Sequence, residues 1–299
     1  MSRGASAAQR ARLAGAALLR AVDPRLTAQL RVERQRSAAL SARLRPGSSI
    51  AVVGIPPRAG RSTVAALVAL ALARYQRPRV LAVDTDRAGG LHARLAVRLG
   101  GSAHPVLVAL GVRADPAGSQ QARAGHRWLR QQLAAVDQVM LLAGDHPRPE
   151  PPVAAHEYAA ALDALCRWFP VAVTDTPRLS DDPLLPAVLA RADRVVIVGP
   201  DDEREIDWFG ACLPWIAGLV RQPLDRITTG ALVQQTAASS ASRRPAANAL
   251  PFPVFALPYD PALAGARRLE WRELAPRTRQ TVCSLAAYLV RGLGVGGPG

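Results

Sequence analysis

The stretch Ile50-Ala-Val-Val-Gly54-Ile-Pro-Pro-Arg58-Ala-Gly60-Arg61-Ser62-Thr63-Val64-Ala-Ala-Leu-Val-Ala-Leu-Ala-Leu-Ala73 decides the fold. A β-branched run reads as a short buried strand, glycines and prolines as a tight turn, and the alanine- and leucine-rich run as a helix. Strand, turn and helix opening on Gly-basic-Ser-Thr gather backbone N–H groups and a helix N-terminus around one point, an arrangement suited to a phosphate. Outward from it the same alternation continues. Strands are expected at 50–53, 80–84, 139–142, 171–175, 195–198, 227–233 and 254–257, with helices near 61–75, 152–168, 183–192, 204–221 and 272–291. Apolar strands alternating with helices predict an α/β fold, a doubly wound, mostly parallel sheet with helices on both faces. Segments 100–125 and 234–250 read as irregular.

Composition narrows the options. The chain has 299 residues, 49% of them apolar, enough to bury a full core, which excludes disorder over most of its length. Its formal charge is +15, and every basic residue is arginine; chemistry that needs a lysine Schiff base is excluded. Three scattered cysteines, Cys166, Cys212 and Cys283, support neither a disulfide framework nor a CxxC metal site, and fit a cytoplasmic protein. The longest apolar run, ten residues at 64–73, is about half of what spans a bilayer, so no transmembrane segment is expected. Five histidines show no zinc-ligand spacing, and neither a Gly-x-Ser-x-Gly elbow nor a Gly-x-Gly-x-x-Gly series is present.

Residues 1–47 carry ten arginines against two acids and read as a helical, arginine-rich extension ahead of a domain at 48–299. The extension is either a solvated helix packed on the domain or an arm for an acidic partner, lipid or nucleic acid. Residues 175–207 hold nine acids against four arginines, an excess suited to a solvated loop and the start of the helix near 204. Trp168, Trp208, Phe209 and Trp215 lie in apolar helical contexts and are expected in the core.

Acids recur at strand ends. Asp84-Thr85-Asp86 closes the second strand ahead of Gly89-Gly90-Leu91, Asp175-Thr176-Pro177 closes the strand at 171, and Pro258-Tyr259-Asp260-Pro261 follows the last strand. In this order these pieces resemble the MinD/ParA family of P-loop ATPases with a deviant Walker A motif, over about residues 48–292. Within it, the stretches at 141–145, 165–176 and 258–264 are similar to the actinobacterial MinD-like proteins associated with type VII (ESX) secretion.

The resemblance implies ATP with Mg²⁺ as ligands and a homodimer as the working form. It places Gly60, Arg61, Ser62 and Thr63 around the phosphates, Ser62 on the metal, Asp175 reaching the metal through water, and Asp84 beside them. Asp86 would orient the attacking water, and Pro258 and Tyr259 would line the adenine pocket.

The loop departs from the family pattern Lys-Gly-Gly-x-Gly-Lys-Ser/Thr-Thr. Arg61 stands for the Walker lysine, Pro56 for the signature lysine and Pro57 for a glycine, so two backbone donors and one charge are lost. Arg58 can offer a substitute charge. Four readings stay open: a nucleotide-binding switch that hydrolyses weakly or not at all, a working ATPase, a pseudo-ATPase scaffold, and a partitioning-type protein binding DNA through arginines.

Overall fold

The computed structural model describes residues 24–54, 57–76, 80–86, 90–95, 106–107, 110, 133–136, 138–142, 153–177, 182–201, 203–237, 250–265 and 268–293. The irregular segment expected at 100–125 lies almost wholly outside these residues, as does 238–249. Eight strands form one sheet: β1 (Ser48–Gly54), β2 (Val80–Asp84), β3 (Ala134–Val136), β4 (Val139–Leu142), β5 (Val171–Asp175), β6 (Arg194–Pro200), β7 (Thr228–Val233) and β8 (Val254–Leu257). Their order is β3-β4-β2-β5-β1-β6-β7-β8, and all neighbours pair in parallel except β3 with β4. The expected strands are all present; β3, three residues at the sheet edge, was not anticipated because Ala-Ala-Val carries no periodicity.

Among the described residues the helices are α1 (Pro24–Leu40), α2 (Arg61–Ala73), α3 (Gly90–Leu95), α4 (Ala155–Leu165), α5 (Leu184–Arg191), α6 (Glu203–Ala217), α7 (Leu224–Ile227) and α8 (Pro276–Arg291). The last expected helix is shorter than its pattern: a 3₁₀ turn at Trp271–Glu273 precedes α8, which starts on Pro276, a residue that fits a first turn because it needs no N–H partner.

Strand alternation divides the core in two. Ile50 and Val52 of β1 face a cluster with α2, α3 and α8, whereas Ala51 and Val53 face α4, α5 and Ile216 of α6. α2 is buried on every side from Thr63 to Ala73, which explains why its sequence is apolar all round rather than striped. Among the described residues, no helix is long and apolar enough to cross a membrane.

Two tryptophans expected in the core lie at the surface. Trp215 is 44% exposed because Ile216, its neighbour on α6, takes the buried slot, and Trp168 is 37% exposed while the adjacent Phe169 packs inward. The side chains of Trp208 and Phe209 lie outside the described residues.

α1, from the arginine-rich segment, packs along α8, where the Arg36 guanidinium donates to the Gln280 carbonyl and Ser284 Oγ. Leu40 and Leu44 are buried in the same core as β1, α2 and α8. At the end of α1 the buried Gln76 amide donates to the carbonyls of Leu40 and Ala42, which otherwise lack partners at a helix C-terminus. Gln76→Ala leaves both oxygens unpaired and should lower unfolding free energy by about 1–3 kcal/mol in urea titrations. A loss under about 0.3 kcal/mol would mean that α1 is not anchored there.

Candidate functional site

The C-terminal ends of β1, β2 and β5 meet because β5 lies between the other two, its Val171–Asp175 in register with β1 and its residues 172–175 with β2. Asp84 therefore sits directly beside Asp175. Threonines following each acid tie the ends together. Thr85 donates from its N–H (3.1 Å) and Oγ1 (2.6 Å) to the Asp175 carbonyl, and Thr176 donates from its N–H and Oγ1 to the Val52 carbonyl.

β1 runs into the loop and then α2. Gly60 precedes the helix at φ 91°, a left-handed conformation, and a Cβ there would come within 3.2 Å of Val233 Cγ2; glycine is required for both reasons. Arg58 has φ 64° without being glycine, a strained backbone, and its carbonyl accepts from Gln235 Nε2 at 3.1 Å. No side chain caps α2, so its first N–H groups remain available for an anion.

Arg61, the first residue of α2, turns its side chain into the acids. Its Nε donates to Asp175 Oδ1 at 2.7 Å and its Nη2 to Asp86 Oδ2. Gly54 makes the path possible, since a Cβ there would lie 2.8 Å from Arg61 Cβ. Asp175 is fully buried; burial raises its pKa, while the Arg61 charge and the neighbouring Ser62 hydroxyl pull it back down. Its Oδ2 has no hydrogen-bond partner of good geometry. Asp84 accepts from the N–H groups of His92 (2.9 Å) and Asp86 (3.2 Å), yet burial, reinforced by the Asp175 charge, pushes its carboxyl up to about 7.

The predicted metal residues Ser62, Asp84 and Asp175 are thus brought together, with Asp86 beside them, but the cation they surround is a guanidinium. The fit to Mg²⁺ is poor: Asp175 Oδ1 and Asp86 are engaged by Arg61, the Gly90 backbone closes over Ser62 Oγ, and the described residues hold no group of three or more ligands arranged for a metal.

Beside the same helix N-terminus lies a cleft of about 280 Å³ lined by Arg58, Gly60, Thr63, Arg94, Gln234 and Tyr259, among others. Gln234 Oε1 accepts from the Tyr259 N–H at 3.0 Å, joining the ends of β7 and β8. The candidates Arg58, Gly60, Thr63 and Tyr259 are brought together here; Pro258, half-buried, is not part of the lining. Sequence reasoning missed Arg94, whose Nη2 donates to the Leu263 carbonyl, and Asp260, whose carboxylate accepts from Ala262 and Ala275 N–H groups. Asp260 lies in the Pro-Tyr-Asp-Pro stretch after the last strand and Arg94 in the stretch after the second, but neither stretch by itself shows the cleft they share.

Arg61→Met leaves Asp175 buried without a cation and should cost about 3–5 kcal/mol in denaturant titrations, whereas Arg61→Met/Asp175→Asn should cost clearly less. Additive losses in the double variant would show that the pair is not coupled.

No family model and no curated protein matches the chain. Solved structures do. A ParA family ATPase from Chlorobium tepidum TLS superposes with a TM-score of 0.62 at 17% identity, over 81% of this chain and 99% of that one. The cell division ATPase MinD of Pyrococcus furiosus gives 0.56 at 18% identity, over 83% and 100%. Cobyrinic acid a,c-diamide synthase from Mycobacterium smegmatis, solved with an ATP analog and magnesium, gives 0.55 at 19% identity, over 82% and 94%. The chain therefore has the P-loop fold of the ParA/MinD ATPases.

Proposed function

We propose that this protein is a nucleotide-binding regulator of the MinD/ParA kind, a switch or adaptor that binds ATP and hydrolyses it weakly or not at all. One observation carries the reading: the arginine in the lysine's place is held by Asp86 and Asp175, while the cleft beside α2 stays open and keeps two other guanidinium groups, Arg58 and Arg94, in its wall. The cleft and helix N-terminus serve binding. Asp86, the residue that would orient water, is engaged by Arg61, which supports slow turnover.

In this reading the triphosphate lies at the N-terminus of α2, against the N–H groups of Gly60 to Thr63, with the base toward Tyr259 and Gln234. Calorimetry should give micromolar ATP affinity. Turnover should be on the order of 10³ slower than that of lysine-bearing P-loop enzymes and should vanish in Asp86→Ala. Arg58→Gly separates function from fold: relief of the left-handed backbone should stabilise the protein by about 1 kcal/mol, while ATP binding weakens. No binding at millimolar ATP would leave a scaffold without nucleotide.

The partner we propose is a protein of a type VII secretion system, with a homodimer as the acting form, on the strength of the likeness at 141–145, 165–176 and 258–264. The exposed Arg31 and Arg34 of α1 favour a second reading, non-specific DNA binding. Co-purification with a secretion component that persists at high salt supports the first. Binding to duplex DNA that collapses about 10³-fold between 50 and 200 mM salt supports the second.

A further inference from the structure

A P-loop site of this fold has two charge problems to solve: the acids at the strand ends must be neutralised, and so must the phosphates of the ligand. Here the first is solved inside the chain. The Arg61 guanidinium donates through Nε to Asp175 Oδ1 and through Nη2 to Asp86 Oδ2, spanning two carboxylates that belong to different strand ends. Lysine, with one compact ammonium, could not present two donors of fixed separation in this way. The third acid, Asp84, is held by two backbone N–H groups rather than by a cation.

The space left over excludes a hydrated ion. A Cβ on Gly90, the first residue of α3, would lie 2.3 Å from Ser62 Oγ and 3.9 Å from Asp175 Oδ2, so the backbone of α3 closes over the serine that would ligate a metal. Magnesium keeps octahedral geometry and most of its waters, and needs more room than this. Meanwhile Asp175 Oδ2 is fully buried beside the Ser62 hydroxyl and accepts no hydrogen bond of good geometry. It marks where a cation would be accepted once the guanidinium is gone.

We propose that Arg61 acts as a built-in cation, holding the place of a divalent metal among Asp175, Asp86 and Ser62, so that the protein takes its ligand's phosphates without one. Removing Arg61 creates a metal site where the wild-type chain has none. This part is independent of what the cleft binds; metal-independent nucleotide binding rests, in addition, on the function proposed above.

The test uses the full chain free of nucleotide, with Mn²⁺ as the probe, followed by its electron paramagnetic resonance and by thermal melting. Wild-type protein should show no Mn²⁺ site in the micromolar range and no rise in melting temperature. Arg61→Gln should bind Mn²⁺ at least about tenfold more tightly than wild type and melt higher with the metal than without it. Arg61→Gln/Asp86→Asn, which removes opposite charges together, provides a second folded variant in which Asp175 is still uncovered, and it should gain Mn²⁺ binding too. Tight Mn²⁺ binding by wild type, or folded variants that gain none, would overturn the proposal.

A second arm compares ATP binding to wild type in Mg²⁺ and in EDTA. Affinities within about threefold of each other are expected, and a gain of more than about tenfold with Mg²⁺ would overturn metal independence. Absence of ATP binding in both buffers would sink the proposed function alone, and the Mn²⁺ result would still decide the role of Arg61.

Discussion

One buried contact organises this molecule: the guanidinium of Arg61 set between Asp175 and Asp86. An uncompensated carboxylate at the fully buried Asp175 would be costly, and the ends of β2 and β5 carry acids side by side. The cation that makes this tolerable comes from the helix following β1, the strand next to β5. Much of the local structure serves the pairing. Gly54 leaves room for the arginine stem, Gly60 lets the chain turn into α2, and Thr85 and Thr176 bind the strand ends so that the acids cannot splay.

The contact also divides labour between neighbouring regions. On one side of the α2 N-terminus the charges are satisfied internally. On the other, Arg58 and Arg94 line a cleft whose wall is completed by residues after β7 and β8. Arg58 is maintained in a left-handed conformation that glycine would adopt without strain, so an arginine there costs backbone energy in return for a charge at the cleft. The strained arginine and the buried one thus put their charges to different uses, one at the cleft and one against the strand-end acids.

Much of this was legible in the sequence, for physical reasons that can be named. The parallel sheet was readable because buried strands leave uniform β-branched runs, as at Ile50 to Val53 and Val195 to Val198. The acids were readable because each closes such a run. The direction of the Arg61 side chain was not: nothing local distinguishes a guanidinium facing phosphate from one facing carboxylates on strands 25 and 114 residues away. The place of Arg94 in the cleft was not legible for the same reason, because that cleft is assembled from four separate segments. The exposed Trp168 and Trp215 show the converse limit. Apolar spacing fixes a helix face only roughly, and an adjacent phenylalanine or isoleucine took the inward position instead.

α2 begins with Arg61 at the loop that follows β1, and three residues beyond its end Gln76 grips the carbonyls that finish α1. Thirteen residues of helix span about 20 Å, buried along the whole length and therefore unable to bend or slip without moving its neighbours. The helix is in effect a rigid strut between the carboxylate pocket and the arginine-rich segment that precedes the sheet. A force applied to that outer segment is delivered axially to the loop, and a rearrangement of the loop is felt at the same place. α1 and the loop after β1 are thereby joined through one rigid element.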